Sequence, residues 1–401
     1  MKNSASSKPQ AIWLITGGAM QRPAAEKVKN RGYTLVMSDG SMECALRAIA
    51  DEFLHVDIFD IPKNIAAADE LKKRYDIRAV FTTASDCHET VAHVARHLGL
   101  SGIDPAISRV CRYKYETREL YTKAGIPQPN FTTVKTHEEA LAALREIGMP
   151  AALKATNNAG SRGFARIDTA EDLTVDAFAH AIKNGTTGVA IIEELLIPVE
   201  GEIAEQSVET LWYDGTMYWL NWVERMFRQD MRFFPKFDAR VYENLPWAVE
   251  IGHLNPAIHS IETTAAVQQM VEQAGRALGM DKQRGGHILK HDVMLTAKGP
   301  RILESTPRLS GGWDSSGSTL ARGADFIDGA IEMALGTPLT AELFYKYFTY
   351  KYPQAYVAML SEIPKDPKDC IGRRFAFDSG RDPDEAVANA YKKVTTGKFI
   401  A

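Results

Sequence analysis

Short apolar runs alternate with longer amphipathic stretches over the first hundred residues. Residues 11–16 form a strand-like run ending in Gly17-Gly18, and Pro23 opens a helical pattern that stops at Gly32. Residues 33–37, 56–58 and 79–82 have the β-branched and aromatic character of further strands, with helical patterns over 64–75 and 89–98. Strands alternating with helices of this length predict a doubly wound parallel α/β sheet.

The pattern then changes. A helical stretch from 113 to 123 is stopped by Ala124-Gly125-Ile126-Pro127, and a strand at 132–134 precedes a helix over 138–147 closed by Gly148. Strands are expected at 149–154, 189–192, 207–211 and 217–223, with Asp214-Gly215 turning the last two into a hairpin. Apolar runs at 288–295 and 301–304 flank Lys298-Gly299-Pro300 and predict another hairpin. The tail reads as a helix over 324–335 ended by Gly336-Thr337-Pro338, strands at 356–360 and 370–377, and a helix over 383–394 capped by Asp382 with Pro383 in its first turn. No internal repeat or low-complexity segment is present.

A chain of 401 residues has room for two or three structural units. Its 45% hydrophobic and 24% charged content is that of an ordinary globular protein. A net charge of −4 gives no footprint for nucleic acid or an anionic membrane, and no apolar run reaches the length of a span. The polar start, residues 1–10, reads as a frayed tail without a signal peptide's apolar stretch. Cys44, Cys87, Cys111 and Cys370 are dispersed, which disfavours a disulfide framework or zinc site and suits a cytoplasmic location.

Chemistry concentrates in a few places. Each arm of the 288–304 hairpin carries a carboxylate, Asp292 and Glu304, and Arg308 follows. Hard oxygen ligands beside a guanidinium suit a metal–phosphate site, though acidic pairs also occur on plain exposed hairpins. Lys154 ends a strand before the small-residue loop Gly160-Ser161-Arg162-Gly163, where backbone N–H groups can approach phosphate closely. Gly17-Gly18 and Asp39 do not have G-x-G-x-x-G spacing, which argues against a dinucleotide site and leaves either a substrate-facing role or a turn with a capping Asp. Residues 222–240 interleave Arg225, Arg228, Arg232, Lys236 and Arg240 with aromatics. They read as a cationic pocket for carboxylates, with Arg225 or Arg228 as clamp, or as a solvated loop with hydrophobic anchors. His253, His287 and His291 lack metal-binding spacing and read as structural. The loop 311–318 could offer N–H groups to a carboxylate or simply turn tightly.

Taken in order, Lys114, Lys154, the 160–163 loop, Glu193-Glu194-Leu195-Leu196, Glu205-Gln206-Ser207-Val208-Glu209, Asp292 and Glu304-Ser305-Thr306-Pro307-Arg308 resemble the ATP-grasp superfamily over residues 11–340. The resemblance implies an N-terminal α/β domain at 11–110, a linker helix and ATP-lid region at 111–210, and a C-terminal domain at 211–401 that carries the metal site, an antiparallel sheet and a small α/β appendage. By the same resemblance Lys114, Lys154, Gly160, Ser161 and Gly163 hold ATP phosphates. Glu193, Glu194 and Leu196 meet adenine, and Glu205 meets ribose. Asp292, Glu304 and Thr306 hold one or two Mg²⁺, with Mn²⁺ as a substitute. Arg308 and Lys154 are its catalytic cations, and Arg225, from the reading of residues 222–240 above, is a third candidate. The family's usual Glu-x-Asn-Pro-Arg has Thr306 in place of Asn, and Asp292 stands where Glu is common.

Ile251-Gly252-His253-Leu254-Asn255-Pro256 and Arg308-Leu309-Ser310-Gly311-Gly312 look most like the carboxylate–amine ligases that join amino acids. The expected function is therefore a ligase that activates a small carboxylate as an acyl phosphate and couples it to an amine. Nothing in the sequence reads out the oligomeric state; a homodimer is only the general prior, because symmetric pairs are the commonest oligomers. Alternatives are a bicarbonate-activating carboxylase with a separate carrier and a non-catalytic ATP-binding regulator.

Overall fold

The computed structural model describes residues 8–158, 162–236, 238–245, 249–311, 313–363 and 374–400. Strands β1 (Gln10–Ile15), β2 (Thr34–Asp39), β3 (Glu52–His55) and β4 (Asp76–Phe81) form a parallel sheet in the order β3-β2-β1-β4. Helix α1 (Arg22–Asn30) covers one face, and α2 (Ile61–Arg74) and α3 (His88–Leu98) cover the other. The period of two explains the double cover. Ile12 and Leu14 pack with Ala24, Ala25 and Val28, while Trp13 and Ile15 pack with Ala68, Leu71 and Val94. The third strand lies at Glu52–His55 rather than at the expected 56–58. It is a half-buried edge strand whose polar Glu52 and His55 blur the apolar signal. Gln10 belongs to β1, and residues 1–7 of the tail expected through residue 10 lie outside the described residues.

Helices α4 (Pro105–Arg112) and α5 (Lys114–Ala124) lead into a second sheet. It holds β5 (Phe131–Val134), β6 (Ala151–Ala155), β7 (Ala165–Ile167) and β8 (Ala190–Glu194), in the antiparallel order β5-β8-β6-β7. Helices α6 (His137–Ile147) and α7 (Val175–Asn184) share one small core with it, through Ala140, Leu144, Phe178 and Ala181.

The third sheet is the largest. It contains β9 (Glu205–Tyr213), β10 (Thr216–Phe227), β11 (Glu250–Asn255), β12 (Gly286–Thr296), β13 (Gly299–Thr306), β14 (Tyr356–Ser361) and β15 (Phe375–Gly380). These seven strands run in the antiparallel order β13-β12-β9-β10-β11-β14-β15. Asp214 and Gly215, with φ of 47° and 83°, make the two-residue turn between β9 and β10 that the Asp-Gly pair predicts. Helix α8 (Ile261–Leu278) packs Val267, Met270, Val271 and Ala274 against Val208, Trp212, Leu289 and Val293. Leu211 and Ile288 join instead the core beneath α1 and helix α10 (Phe326–Ala334), which follows the one-turn α9 (Thr319–Ala321). Ser207 and Glu209 on β9, and Lys290 and Asp292 on β12, alternate with the α8-facing residues and so share the opposite face. Ion pairs from Lys27 and Arg31 of α1 to Asp325, Asp328 and Glu332 tie the parallel sheet's cover to α10.

After helix α11 (Ala341–Phe348), the tail adds its strands to the edge of the large sheet. Strand β14 pairs with β11 and β15 with β14, and helix α12 (Pro383–Thr395) packs Ala386, Val387 and Ala390 beneath them. Of the strand expected at 370–377, residues 370–373 lie outside the described residues.

Candidate functional site

A cleft of about 500 Å³ separates the four-stranded antiparallel sheet from the seven-stranded one. Lys154 and Glu193 to Leu196 line it from the first; Glu205, Arg225, Asp292 and Glu304 line it from the second; Lys114 and Arg308 close it. Those residues include most of the sequence-predicted site.

On the smaller sheet, Lys154 of β6 forms an ion pair with Glu193 of β8, and Arg118 of α5 grips the same carboxylate at 3.1 Å. Burial alone would raise the Glu193 pKa, but Lys154 and Arg118 outweigh it and hold the group at about 2. Its carboxylate is therefore fully engaged in orienting Lys154. Gly163, at φ 75°, is wedged where a Cβ would lie 2.8 Å from Asn184 Cβ and 2.9 Å from Ala155 Cβ. Gly160 and Ser161 lie outside the described residues.

On the larger sheet, Asp292 and Glu304 stand opposite each other in the β12–β13 register. Lys290 lies 2.7 Å and Arg225 3.0 Å from Asp292, and Lys114 donates to Glu304 at 2.6 Å. Arg225 also donates to Glu250 at 2.6 Å and to Glu205 at 3.4 Å. Burial pushes Glu205 up to about 7 against the pull of Arg225, with Asp292 and Glu250 adding to the rise. Glu250 in turn accepts from His253 at 2.5 Å, and His253 pairs on its other side with Asp314. Burial would lower the His253 pKa, but Asp314 and Glu250 raise it to about 10, so the ring is an imidazolium. Thr306 does not line the main cleft. It lies in an adjoining recess with Glu304, Lys114, Asp86 and His88. Among the described residues, no group of three or more His, Cys, Asp or Glu is gathered as a metal cage; Asp292 and Glu304 are a pair.

Residues 222–240 are not one solvated loop. Residues 222–227 complete β10, which carries Arg225 into the cleft, and Met226, Met231 and Phe234 are buried in the core. Arg228 donates to the carbonyls of Glu243 and Leu245 and does not line the cleft, while Arg240 pairs with neighbouring Asp238 in solvent. Phe237 lies outside the described residues. His287 bonds the Arg284 carbonyl and His291 bonds Ser305, both as structural groups. Asp39 is taken up by its own turn, accepting from Thr16, Gly17 and Ser41. In the loop after β13, the Ser310 N–H donates to Glu209 at 2.7 Å, so that N–H is spent on the fold. Gly312 lies outside the described residues.

Sequence reasoning missed Arg118, Glu250, Lys290 and Asp86. Lys290 could have been found from its i, i+2 spacing to Asp292 on one strand face. Asp86 follows β4 at the carboxyl edge of the parallel sheet, where such sheets place ligand-facing residues. Arg118 and Glu250 carry no local signal.

No helix among the described residues is long and apolar enough to cross a membrane. No family model matches the chain. It is 26% identical over 287 residues to an uncharacterized protein of Sinorhizobium fredii, covering 71% of this chain and 54% of that protein. It is 25% identical over 308 residues to alanine–anticapsin ligase of Bacillus subtilis, covering 70% and 60%. The chain thus spans little more than half the length of these relatives. Among solved structures, L-amino acid ligase from Bacillus licheniformis matches with a TM-score of 0.74 and 18% identity, over 98% of both chains. An ADP complex of N5-carboxyaminoimidazole ribonucleotide synthetase matches with a TM-score of 0.70 and 15% identity, over 97% of both. The parallel sheet, the two antiparallel sheets and the cleft between them have one common description: the chain has the ATP-grasp fold.

Proposed function

We propose that the chain is an ATP- and Mg²⁺-dependent ligase that activates a carboxylate, of an amino acid by preference, and couples it to an amine. The observation that carries this reading is the convergence of Lys114, Lys154, Arg225 and Arg308 with Asp292 and Glu304 on one cleft between two antiparallel sheets. Each of the four cations already meets a carboxylate, so each can turn donors from that acid to the oxygens of a polyphosphate or a substrate carboxylate. The named relatives support the substrate class, since alanine–anticapsin ligase and L-amino acid ligase both take amino acids by name.

In this reading Lys114 and Lys154 hold phosphate oxygens, with Glu193 and Arg118 keeping Lys154 extended. The 160–163 loop covers the phosphates. Backbone at Glu194 and Leu196 meets adenine, and Glu205 accepts from ribose hydroxyls. Asp292 and Glu304 fit a hard divalent cation, being paired oxygen donors on facing strands, with Thr306 close by in the recess. The ion would neutralise charge on the transferring phosphoryl group. A carboxylate oxygen attacks the γ-phosphorus and ADP leaves; the amine then attacks the acyl carbon and phosphate leaves. Arg308 and Arg225 steady the oxyanions at both stages, and closure of the lid keeps water from the acyl phosphate. The domain limits 11–110, 111–210 and 211–401 belong to this same proposal.

The test is ADP release from ATP and Mg²⁺ over a panel of carboxylic acids and acid–amine pairs, with hydroxylamine as trap. A hydroxamate from an amino acid is the expected result. ADP release stimulated by bicarbonate alone would replace the ligase with a carboxylase. ATP binding without turnover for any acid–amine pair would make the protein a nucleotide-binding regulator.

A further inference from the structure

The segment after the parallel sheet's last strand borders the recess beside the cleft through Asp86 and His88. Asp86, in the loop after β4, meets Arg308, 222 positions away in the segment after β13. Asp86 Oδ1 accepts from Arg308 Nη2 at 2.8 Å and from Nε at 3.3 Å, and Nη1 donates to the Leu309 carbonyl at 2.8 Å. A guanidinium has five N–H groups, so these bonds leave one on each Nη. Both side chains are largely withdrawn from solvent, with 11% exposure for Arg308 and 19% for Asp86. Burial works against both charges, yet Arg308, His88 and Lys114 hold the Asp86 carboxyl well below the usual carboxylate range. Arg308 also borders the cleft that holds Lys114, Asp292 and Glu304.

We infer that Asp86 is a positioning residue, which fixes the plane of the Arg308 guanidinium so that its two remaining N–H groups are presented to the oxyanion that forms during phosphoryl transfer. This rests on the ligase reading above. It gives the N-terminal sheet a part in the reaction itself, through the orientation of one arginine. A planar fork is useful only when held at the right angle, because a small misalignment of a charged donor loses most of its preferential stabilisation of the transition state.

The test compares wild type, Asp86→Asn, Asp86→Glu, Arg308→Lys and the Asp86→Asn/Arg308→Lys double variant. ADP release and direct ATP binding are measured, with thermal unfolding as a check on the fold. The expected result is a kcat about 10- to 100-fold lower for Asp86→Asn, the range of one charge-assisted hydrogen bond, with ATP affinity within about twofold of wild type. Asp86→Glu recovers part of the loss because the charge returns. The double variant is no slower than Arg308→Lys alone, because Asp86 acts only through the arginine. If Asp86→Asn fails to fold, Asp86→Glu carries the test through a reduced kcat at unchanged ATP affinity. An unchanged kcat overturns the inference, and so do losses that multiply in the double variant. A raised kcat also overturns it, since Asp86 would then be an anion competing with substrate for Arg308. Wild type that releases no ADP with any acid–amine pair overturns the ligase reading, and this inference with it.

Discussion

Asp292 and Glu304 face each other across β12 and β13, yet each is neutralised by cations of different origin. Asp292 takes Lys290 from its own strand and Arg225 from β10, whereas Glu304 takes Lys114 from the start of α5. The acid pair is thus local in sequence, and its charge balance is assembled from three elements. In the proposed reaction the cations lying against both acids exchange them for phosphate oxygens.

Glu304→Gln removes one of the two hard donors and keeps the shape. Turnover should fall at least about 100-fold, on the scale of losing a preorganised electrostatic group. The thermal midpoint should stay near that of wild type, because Glu304 is partly exposed and its pair with Lys114 lies at the cleft wall. Unchanged ADP release in this variant would remove Glu304 from the proposed metal pair.

Arg118 and Glu193 are each only 3% exposed. Arg118→Met leaves the carboxylate buried with Lys154 as its one strong partner, so unfolding free energy should drop by about 3–5 kcal/mol, the cost of breaking a buried pair. Urea unfolding of the variant measures this directly. A midpoint equal to that of wild type would mean that water reaches Glu193.

Folded His253 titrates at about 10, against about 6.5 for a free imidazole. The native state therefore keeps a proton that the unfolded chain releases between those values. This contribution to stability is complete below about pH 6.5 and is lost as pH rises through about 10, by up to about 1.4 kcal/mol per pH unit. Buried Glu205 and Glu224, raised to about 7 and about 8, act with the same sign, so the informative quantity is the difference from His253→Gln. Urea melts at about pH 6.5, 8 and 9.5 should converge for the two proteins as pH rises. Parallel curves would show that His253 is neutral.

Gly163 sits at φ 75° with Ala155 and Asn184 against its α-carbon. An alanine there meets both a left-handed backbone and a crowded site, at a combined cost of about 1–3 kcal/mol. The variant should melt earlier and, if the 160–163 loop covers phosphates as proposed, show a raised KM for ATP, because the backbone at Gly163 must shift. A raised KM with an unchanged melting point would place the effect in nucleotide contact instead.

Much of this protein is written locally. The alternation of Ile12, Trp13, Leu14 and Ile15 marks a strand buried on both faces, and the Asp-Gly turn and the 288–304 hairpin follow from nearest neighbours. Helix α8 is equally legible, though absent from the sequence expectations: Val267, Met270, Val271, Ala274 and Leu278 keep helical spacing between the Ser260 cap and Gly279. The β3 edge strand was misplaced because half-buried strands carry little apolar contrast.

The inventory is largely a local matter: most of the strands and helices, Lys154 at a strand end, and two carboxylates on the arms of one hairpin. Such features depend on residues a few positions apart, and periodicity and turn chemistry report on that range. Which charges meet is set by how the sheets pack. Arg225 reaches Asp292 and Glu250 because the sheet order sets β12, β9, β10 and β11 side by side. Asp86 reaches Arg308 because the parallel sheet docks beside the open end of the β12–β13 hairpin. Pairings across such distances come from packing whole elements, and no local pattern encodes them.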